Sequence, residues 1–180
     1  METTKNELSS FEKIFFQKLG EYLNQPIYFY GSIQRDDYFP QLSDIDIDIF
    51  SYNEKDTILK LQNYLNLERS EFKKFVYKID KTNIIVSGYK TQYNDKKNKL
   101  NVEIAVYNEK YKHAVLKEHK SKFNMPYYII CILILLKILH YNLSILPVFY
   151  YSMFKKIVTN TLFDGNNSKF VVVEMDKRTL

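Results

Sequence analysis

Gly31-Ser32, followed by Ser43-Asp44-Ile45-Asp46-Ile47-Asp48-Ile49-Phe50, is the stretch on which the reading of this 180-residue chain turns. Side chains alternate between the two faces of a strand, so Asp44, Asp46 and Asp48 share one face while Ile45, Ile47 and Ile49 point into a core. A row of like charges at that spacing calls for a cation, and carboxylate oxygens are hard ligands that suit Mg²⁺ or Mn²⁺. Upstream, Pro26-Ile27-Tyr28-Phe29-Tyr30 is a short apolar, aromatic run that reads as a strand delivering Gly31 and Ser32 to its end. A residue without a Cβ lets backbone N–H groups approach a phosphate, and Ser32 adds a hydroxyl donor beside it. Downstream, Leu100-Asn101-Val102-Glu103-Ile104-Ala105-Val106-Tyr107 is a further strand-like run. If it pairs beside the Asp strand, Glu103 becomes a third carboxylate at the same place. A solvated acidic strand face is the plain alternative; the small-residue turn and the Glu103 run weigh against it.

This arrangement resembles the DNA polymerase β-like nucleotidyltransferase superfamily, whose pattern is an apolar strand, Gly-Ser, a spacer, Asp-x-Asp and a later strand bearing a third acid. Gly31 and Ser32 fall on the glycine-serine pair, Asp44 and Asp46 on the paired acids, Glu103 on the late acid, Arg35 on an arginine common after the serine, and Pro40 on a proline that often precedes the Ser-Asp. The chain departs from the pattern at Asp36, where a glycine is usual, at Gln41-Leu42, which lengthen the spacer, and at Asp48. That extra acid leaves open a register in which Asp46 and Asp48 form the metal pair; Ser43-Asp44 at the strand entrance favours Asp44 and Asp46. The resemblance covers about residues 11–107 and implies an α+β fold, a mixed or antiparallel sheet flanked by helices with a helical C-terminal segment.

It further implies a metal-dependent enzyme that moves a nucleoside monophosphate from a triphosphate such as ATP to an acceptor hydroxyl, releasing pyrophosphate. Asp44, Asp46 and Glu103 would be catalytic and hold two Mg²⁺ (or Mn²⁺), with Asp48 as the alternative ligand; Gly31, Ser32, Arg35 and Ser43 would bind the nucleotide. The acceptor is open between nucleic-acid ends, small hydroxylated molecules and proteins. The net charge of +5, with most of the Lys and Arg between Lys55 and Lys122, tilts the expectation towards a nucleic-acid end. The readings of another class are a catalytically silent nucleotide- or RNA-binding module and a membrane-associated interaction protein.

Length and a hydrophobic content of 46% allow one well-cored unit. A soft boundary falls near Asn108, between a core at 1–107 and a helical extension at 108–180 that packs on it and ends in a short strand. Cys131, the single cysteine, excludes an internal disulfide and a cysteine zinc site, fits a reducing, intracellular setting, and is expected to be a buried thiol. His113, His119 and His140 lack metal-ligand spacing and read as surface or packing residues. Residues 1–10 lack the basic start and apolar run of an export signal. The run Ile129–Leu136 is greasy but far short of the roughly 20 residues of a spanning helix, so a buried helix is expected.

Helices are expected behind a Ser9 or Ser10 cap through Tyr22 or Leu23, with Phe11, Ile14, Phe15 and Leu19 inward, and from Glu54 to about Leu65 behind an Asn53 cap, with Ile58, Leu61, Tyr64 and Leu65 inward. Strands are expected at 72–79 and 83–89, joined near Asp80-Lys81-Thr82, then a lysine-rich turn at 95–99. After Tyr107 the pattern predicts an exposed helix at 108–120, one beginning at Met125-Pro126, one from Pro147 towards Val158, a turn at Gly165-Asn166-Asn167 and a strand at 169–175. The lysine- and asparagine-rich, glycine-poor usage fits an AT-rich genome such as that of a large DNA virus.

Overall fold

Ser9 starts the first helix, α1 (Ser10–Leu23), through a reciprocal cap: the Glu12 N–H donates to the Ser9 hydroxyl at 3.3 Å and the Ser9 N–H to the Glu12 carboxylate at 2.6 Å. The structure, a computed structural model, describes residues 2–79, 82–163 and 171–173, with side chains as far as 159. In α1 the inward stripe is Phe16, Leu19 and Leu23; Phe11 and Ile14 are exposed, contrary to expectation. The series at i, i+3 and i+7 that begins at Phe16 reaches the last turn of the helix, and this decides which way it rolls.

Strand β1 (Ile27–Tyr30) leads into a 3₁₀ turn at Gly31–Gln34, and β2 (Ile45–Ser51) carries the acids. Helix α2 (Glu54–Leu65) begins where the Asn53 side chain accepts from the Asp56 N–H, as expected, and buries Thr57, Ile58, Leu61 and Leu65. Strands β3 (Lys73–Lys78), β4 (Ile85–Asp95) and β5 (Leu100–Asn108) follow. Then come α3 (Lys112–Ser121), α4 (Tyr127–Lys137), which runs into a π-helical turn at Ile138–Asn142, α5 (Val148–Phe163) and a three-residue strand β6 (Val171–Val173). The sheet order is β1-β2-β5-β4-β3-β6, with β2 and β5 parallel and the other pairings antiparallel. This is the mixed sheet flanked by helices of an α+β fold.

Two cores sit on the two faces. Ile45, Ile47 and Ile49 pack with Val102, Ile104 and Val106 beneath α1 and α2. The acid-bearing face is covered at its far end, where Val115 of α3 meets Phe50, Phe75, Ala105 and Tyr107. Helix α3 is therefore not the exposed helix expected, since Val115 and Glu118 are buried. Among the described residues the other end of that face stays open, and the acids of β2 and β5 lie there.

Three further expectations change. Strand β4 continues to Asp95 rather than stopping at Tyr89; Gln92 and Asn94 pair with Glu103 and Asn101, and being polar and exposed they give no apolar alternation to read. Helix α4 buries one side only, Ile129, Ile130, Leu133 and Lys137, while Tyr128, Ile132 and Leu135 are exposed. Cys131 lies on the exposed side, not in the core. Among the described residues no helix is long and apolar enough to cross a membrane. The turn expected at Gly165-Asn166-Asn167, the ends of the strand expected at 169–175, and Asp80-Lys81 of the expected turn lie outside the described residues.

Candidate active site

The ladder of the sheet assembles the acids. Tyr30 is the register partner of Asp46 across β1 and β2, Asp46 of Glu103 across β2 and β5, and Glu103 of Gln92 across β5 and β4. Direct partners share a face, so Asp46 and Glu103 stand side by side, with Asp44 one step ahead of β2 at the mouth. Gly31 closes the row from the other side. Its backbone is left-handed, with φ +72°, and a Cβ there would sit 1.8 Å from Asp46 Oδ2. Only glycine satisfies both conditions, so the turn expected to hold phosphate touches the carboxylate expected to hold metal.

Asp44, Asp46, Glu103, Gly31, Ser32, Arg35 and Ser43 all border one cleft of about 460 Å³. Asp48 does not. It is fully buried beneath α3, with His119 Nε2 3.0 Å from Oδ2, an ion-pair distance that satisfies no hydrogen-bond direction at either atom. The two registers left open by the sequence therefore differ in place: Asp44 and Asp46 face the cleft, while Asp48 faces a histidine.

Crowded carboxylates leave their mark on proton affinity. Burial first, then the neighbouring Glu103 and Asp44, push Asp46 up to about 7 from the usual 3.8, against the pull of Lys155 and Lys90. Burial raises Asp44 too, with Lys155 opposing, and burial raises Asp48 against His119. Glu103 is held by an ion pair to Lys90 and accepts a 3.3 Å hydrogen bond from the Tyr30 hydroxyl. Among the described residues no three acidic, histidine or cysteine side chains close around a ready-made metal cage. The donor set nonetheless fits Mg²⁺ or Mn²⁺: the oxygens are hard, Asp46 is buried beside Glu103 and Asp44 with Lys155 and Lys90 only partly offsetting their charge, and Mg²⁺ needs only one or two protein carboxylates when phosphate and water supply the rest.

Arg35, expected on the nucleotide, borders the cleft but directs its guanidinium inward. Nε donates to Asp37 Oδ1 at 2.7 Å and the terminal nitrogen to Oδ2 at 3.1 Å. The second partner is Lys137, whose buried ammonium lies 3.3 Å from Asp37 Oδ2 and donates to the Asp37 carbonyl and, at 3.0 Å, to the Ser43 hydroxyl. Burial pushes the Asp37 carboxyl up, but Arg35 and Lys137 hold it below the usual range; burial in turn pulls Lys137 down. Ser43 also accepts from the Phe39 N–H at 3.1 Å, so its hydroxyl is fixed immediately before Asp44.

Sequence reasoning missed the far wall of the cleft: His119, Lys137, Tyr141, Tyr151 and Lys155, together with Tyr30. One of them had left a signal. Lys137 is a lone charge closing the apolar run from Ile129 to Leu136, and a charge so placed is buried with a partner or ends the helix in water. His119 left none: its ring stacks on Tyr30, with centroids 4.3 Å apart, through a contact nearly half the chain away.

Compared with known proteins, the chain is matched over residues 8–128 by a protein-family model described as a nucleotidyltransferase domain. No curated protein and no solved structure matches the chain.

Proposed function

We propose a reaction from one premise: the chain belongs to the nucleotidyltransferase domain family. It transfers a nucleoside monophosphate from a nucleoside triphosphate to an acceptor hydroxyl, with a nucleic-acid end as the favoured acceptor. The observation that carries this reading is the contact of Gly31 with Asp46 in the same row as Glu103, which joins a phosphate-sized turn to the acids.

Asp44, Asp46 and Glu103 would hold Mg²⁺ or Mn²⁺, which when bound supplies charge stabilisation at the attacking and leaving oxygens. The residues of the chain orient and enclose. The Gly31-Ser32 turn presents its backbone and the Ser32 hydroxyl to the triphosphate. Arg35 and Lys137 act through Asp37 to keep the loop before β2, with Ser43, in one conformation, so that Asp44 arrives in place. Lys155 adds positive charge across the cleft from the acids. The acceptor oxygen bonds to the α-phosphorus, the bond to the bridging oxygen breaks, pyrophosphate leaves with that electron pair, and in this reading Glu103 receives the hydroxyl proton. The core to residue 107 supplies the chemistry, and the helices after it supply the opposing wall.

Incubation with each labelled triphosphate, Mg²⁺ or Mn²⁺, and pooled nucleic-acid, protein and metabolite acceptors tests the proposal. Metal-dependent pyrophosphate release should be lost in the Asp44→Ala/Asp46→Ala double variant. Equal release from both proteins would remove these acids from the reaction, and binding of triphosphate without any transfer would make the chain a silent module.

A further inference from the structure

Asp48 is the acid of β2 that the reaction leaves unused. It is fully buried, and among the described residues one basic side chain lies within ion-pair distance of it, His119, with Nε2 3.0 Å from Oδ2. Glu118, next to His119 on α3, adds a like charge and is itself answered by Lys122 at 2.7 Å. An apolar side chain under α3 would avoid the cost of a buried carboxylate, so the acid calls for a role that an apolar residue could not fill. The His119 ring supplies one, because it stacks on Tyr30 with centroids 4.3 Å apart and planes 25° from parallel. Tyr30 stands on β1 opposite Asp46, and its phenol reaches past that acid to the next strand, where the hydroxyl donates to Glu103 Oε1 at 3.3 Å. Lys90 approaches the same oxygen.

We propose that Asp48, His119 and Tyr30 are positioning residues for Glu103. Asp48 fixes the His119 ring, the ring fixes the Tyr30 phenol by stacking, and the phenol hydroxyl holds Oε1 of Glu103 so that Oε2 is the oxygen presented to the ligand. Packing alone does not fix the phenol. Tyr30 borders both the nucleotide cleft and a smaller hollow of about 230 Å³, and these leave its ring room to swing unless the stack holds it. The inference rests on the reaction proposed above, in which Glu103 holds metal and takes the proton, and it gives the acid that departs from the family pattern a place in that site.

The test reads affinity apart from turnover. The Mn²⁺ complex of the α,β-methylene analogue of each ribonucleoside triphosphate is titrated into the full chain by isothermal titration calorimetry. Tyr30→Phe and His119→Ala should each weaken the tightest of these about tenfold, the scale on which outer partners of a metal-ligating carboxylate act. His119→Phe keeps a ring to stack and should recover most of that loss. Because His119 also borders the cleft, a cycle with Glu103→Gln separates direct contact from action through Glu103: in that background His119→Ala should change affinity by less than about twofold. Asp48→Asn removes the buried charge, so it should melt no lower than wild type while weakening binding, whereas a purely structural role would lower both together. Unchanged affinity in His119→Ala or Asp48→Asn, a His119→Phe variant as weak as His119→Ala, or a loss that persists in full in the Glu103→Gln background would each overturn the proposal. If the cycle holds yet wild type releases no pyrophosphate from any natural triphosphate, the positioning stands and the reaction falls.

Discussion

Replacing Asp46 with asparagine should make the metal-free protein more stable and the enzyme inactive. In the fold the carboxyl has a protonation midpoint of about 7, set first by burial and then by Glu103 and Asp44, against 3.8 for the free side chain. The folded state therefore binds a proton more readily than the unfolded chain, and stability falls as pH rises from about 4 to about 7 and stays low above that. At pH 8 the full penalty is about 4 kcal/mol, an upper bound, and at pH 4.5 it shrinks to about 1 kcal/mol. Because part of Asp46 remains open to the cleft, roughly half of the bound is expected in practice. An asparagine side chain keeps the shape and removes the charge, so Asp46→Asn should melt about 4–8 °C above wild type at pH 8 in chelator. The two curves should converge near pH 4.5. Thermal melts by circular dichroism at both pH values check this, with pyrophosphate release measured alongside. A variant that melts no higher than wild type at pH 8 would refute the account of Asp46 as a charge held in place against the fold.

Gly31→Ala adds a Cβ 1.8 Å from Asp46 Oδ2 on a backbone at φ +72°; it should lower stability by at least about 1 kcal/mol and abolish nucleotide transfer, checked by melting and by pyrophosphate release. Lys137→Met leaves the buried Asp37 carboxylate with Arg35 alone and the Ser43 hydroxyl with the Phe39 N–H alone; a loss of about 3 kcal/mol in a urea titration is expected, with a fall in kcat. Chelator should stop pyrophosphate release, and Mg²⁺ with triphosphate at about one hundred times Kd should stabilise wild type by about 2.7 kcal/mol while leaving Asp44→Ala/Asp46→Ala unmoved in differential scanning fluorimetry. Lys155→Ala removes the cation that pulls hardest on both Asp44 and Asp46; the pH at which stability stops falling should move above the wild-type value of about 7, and no movement would show that Lys155 does not reach the acids.

Asp46, Asp48 and Glu103 were legible because each lies between apolar residues with a period of two, and Asp44 continues that period one step ahead of Ile45. Ile45, Ile47 and Ile49 had to enter the core, and that fixed the opposite face for Asp44, Asp46 and Asp48. Register was not legible: nothing in the sequence of β5 says that Glu103 meets Asp46 rather than Asp44 or Asp48, because the pairing depends on where α2 and the β3–β4 hairpin return the chain. The same limit hid His119, whose burial against Asp48 is decided by how α3 packs. For α4, the apolar run predicted burial, yet one side faces solvent; hydropathy counts greasy residues and cannot say how many faces a neighbour covers. In α1, the choice between two apolar stripes was settled by Leu23, the last residue before the left-handed Asn24.

Cations and anions in this cleft come from different parts of the chain, and that division has a consequence. The sheet contributes Asp44, Asp46 and Glu103, and it holds Glu103 with its own Lys90. Lys137 and Lys155 come from α4 and α5, and Lys137 reaches across to the Asp37 backbone and the Ser43 hydroxyl just ahead of the first acid. Asp37 is fully buried, so a single Arg35 must answer it wherever α4 is absent. The helices after residue 108 are thus tied to the geometry of the loop that delivers Asp44, rather than serving as a cover laid over a finished site. Movement of α4 relative to the sheet would loosen Ser43 and Asp44 together, which makes the Lys137–Asp37 contact the place where a conformational change in the helical wall would be felt by the acids.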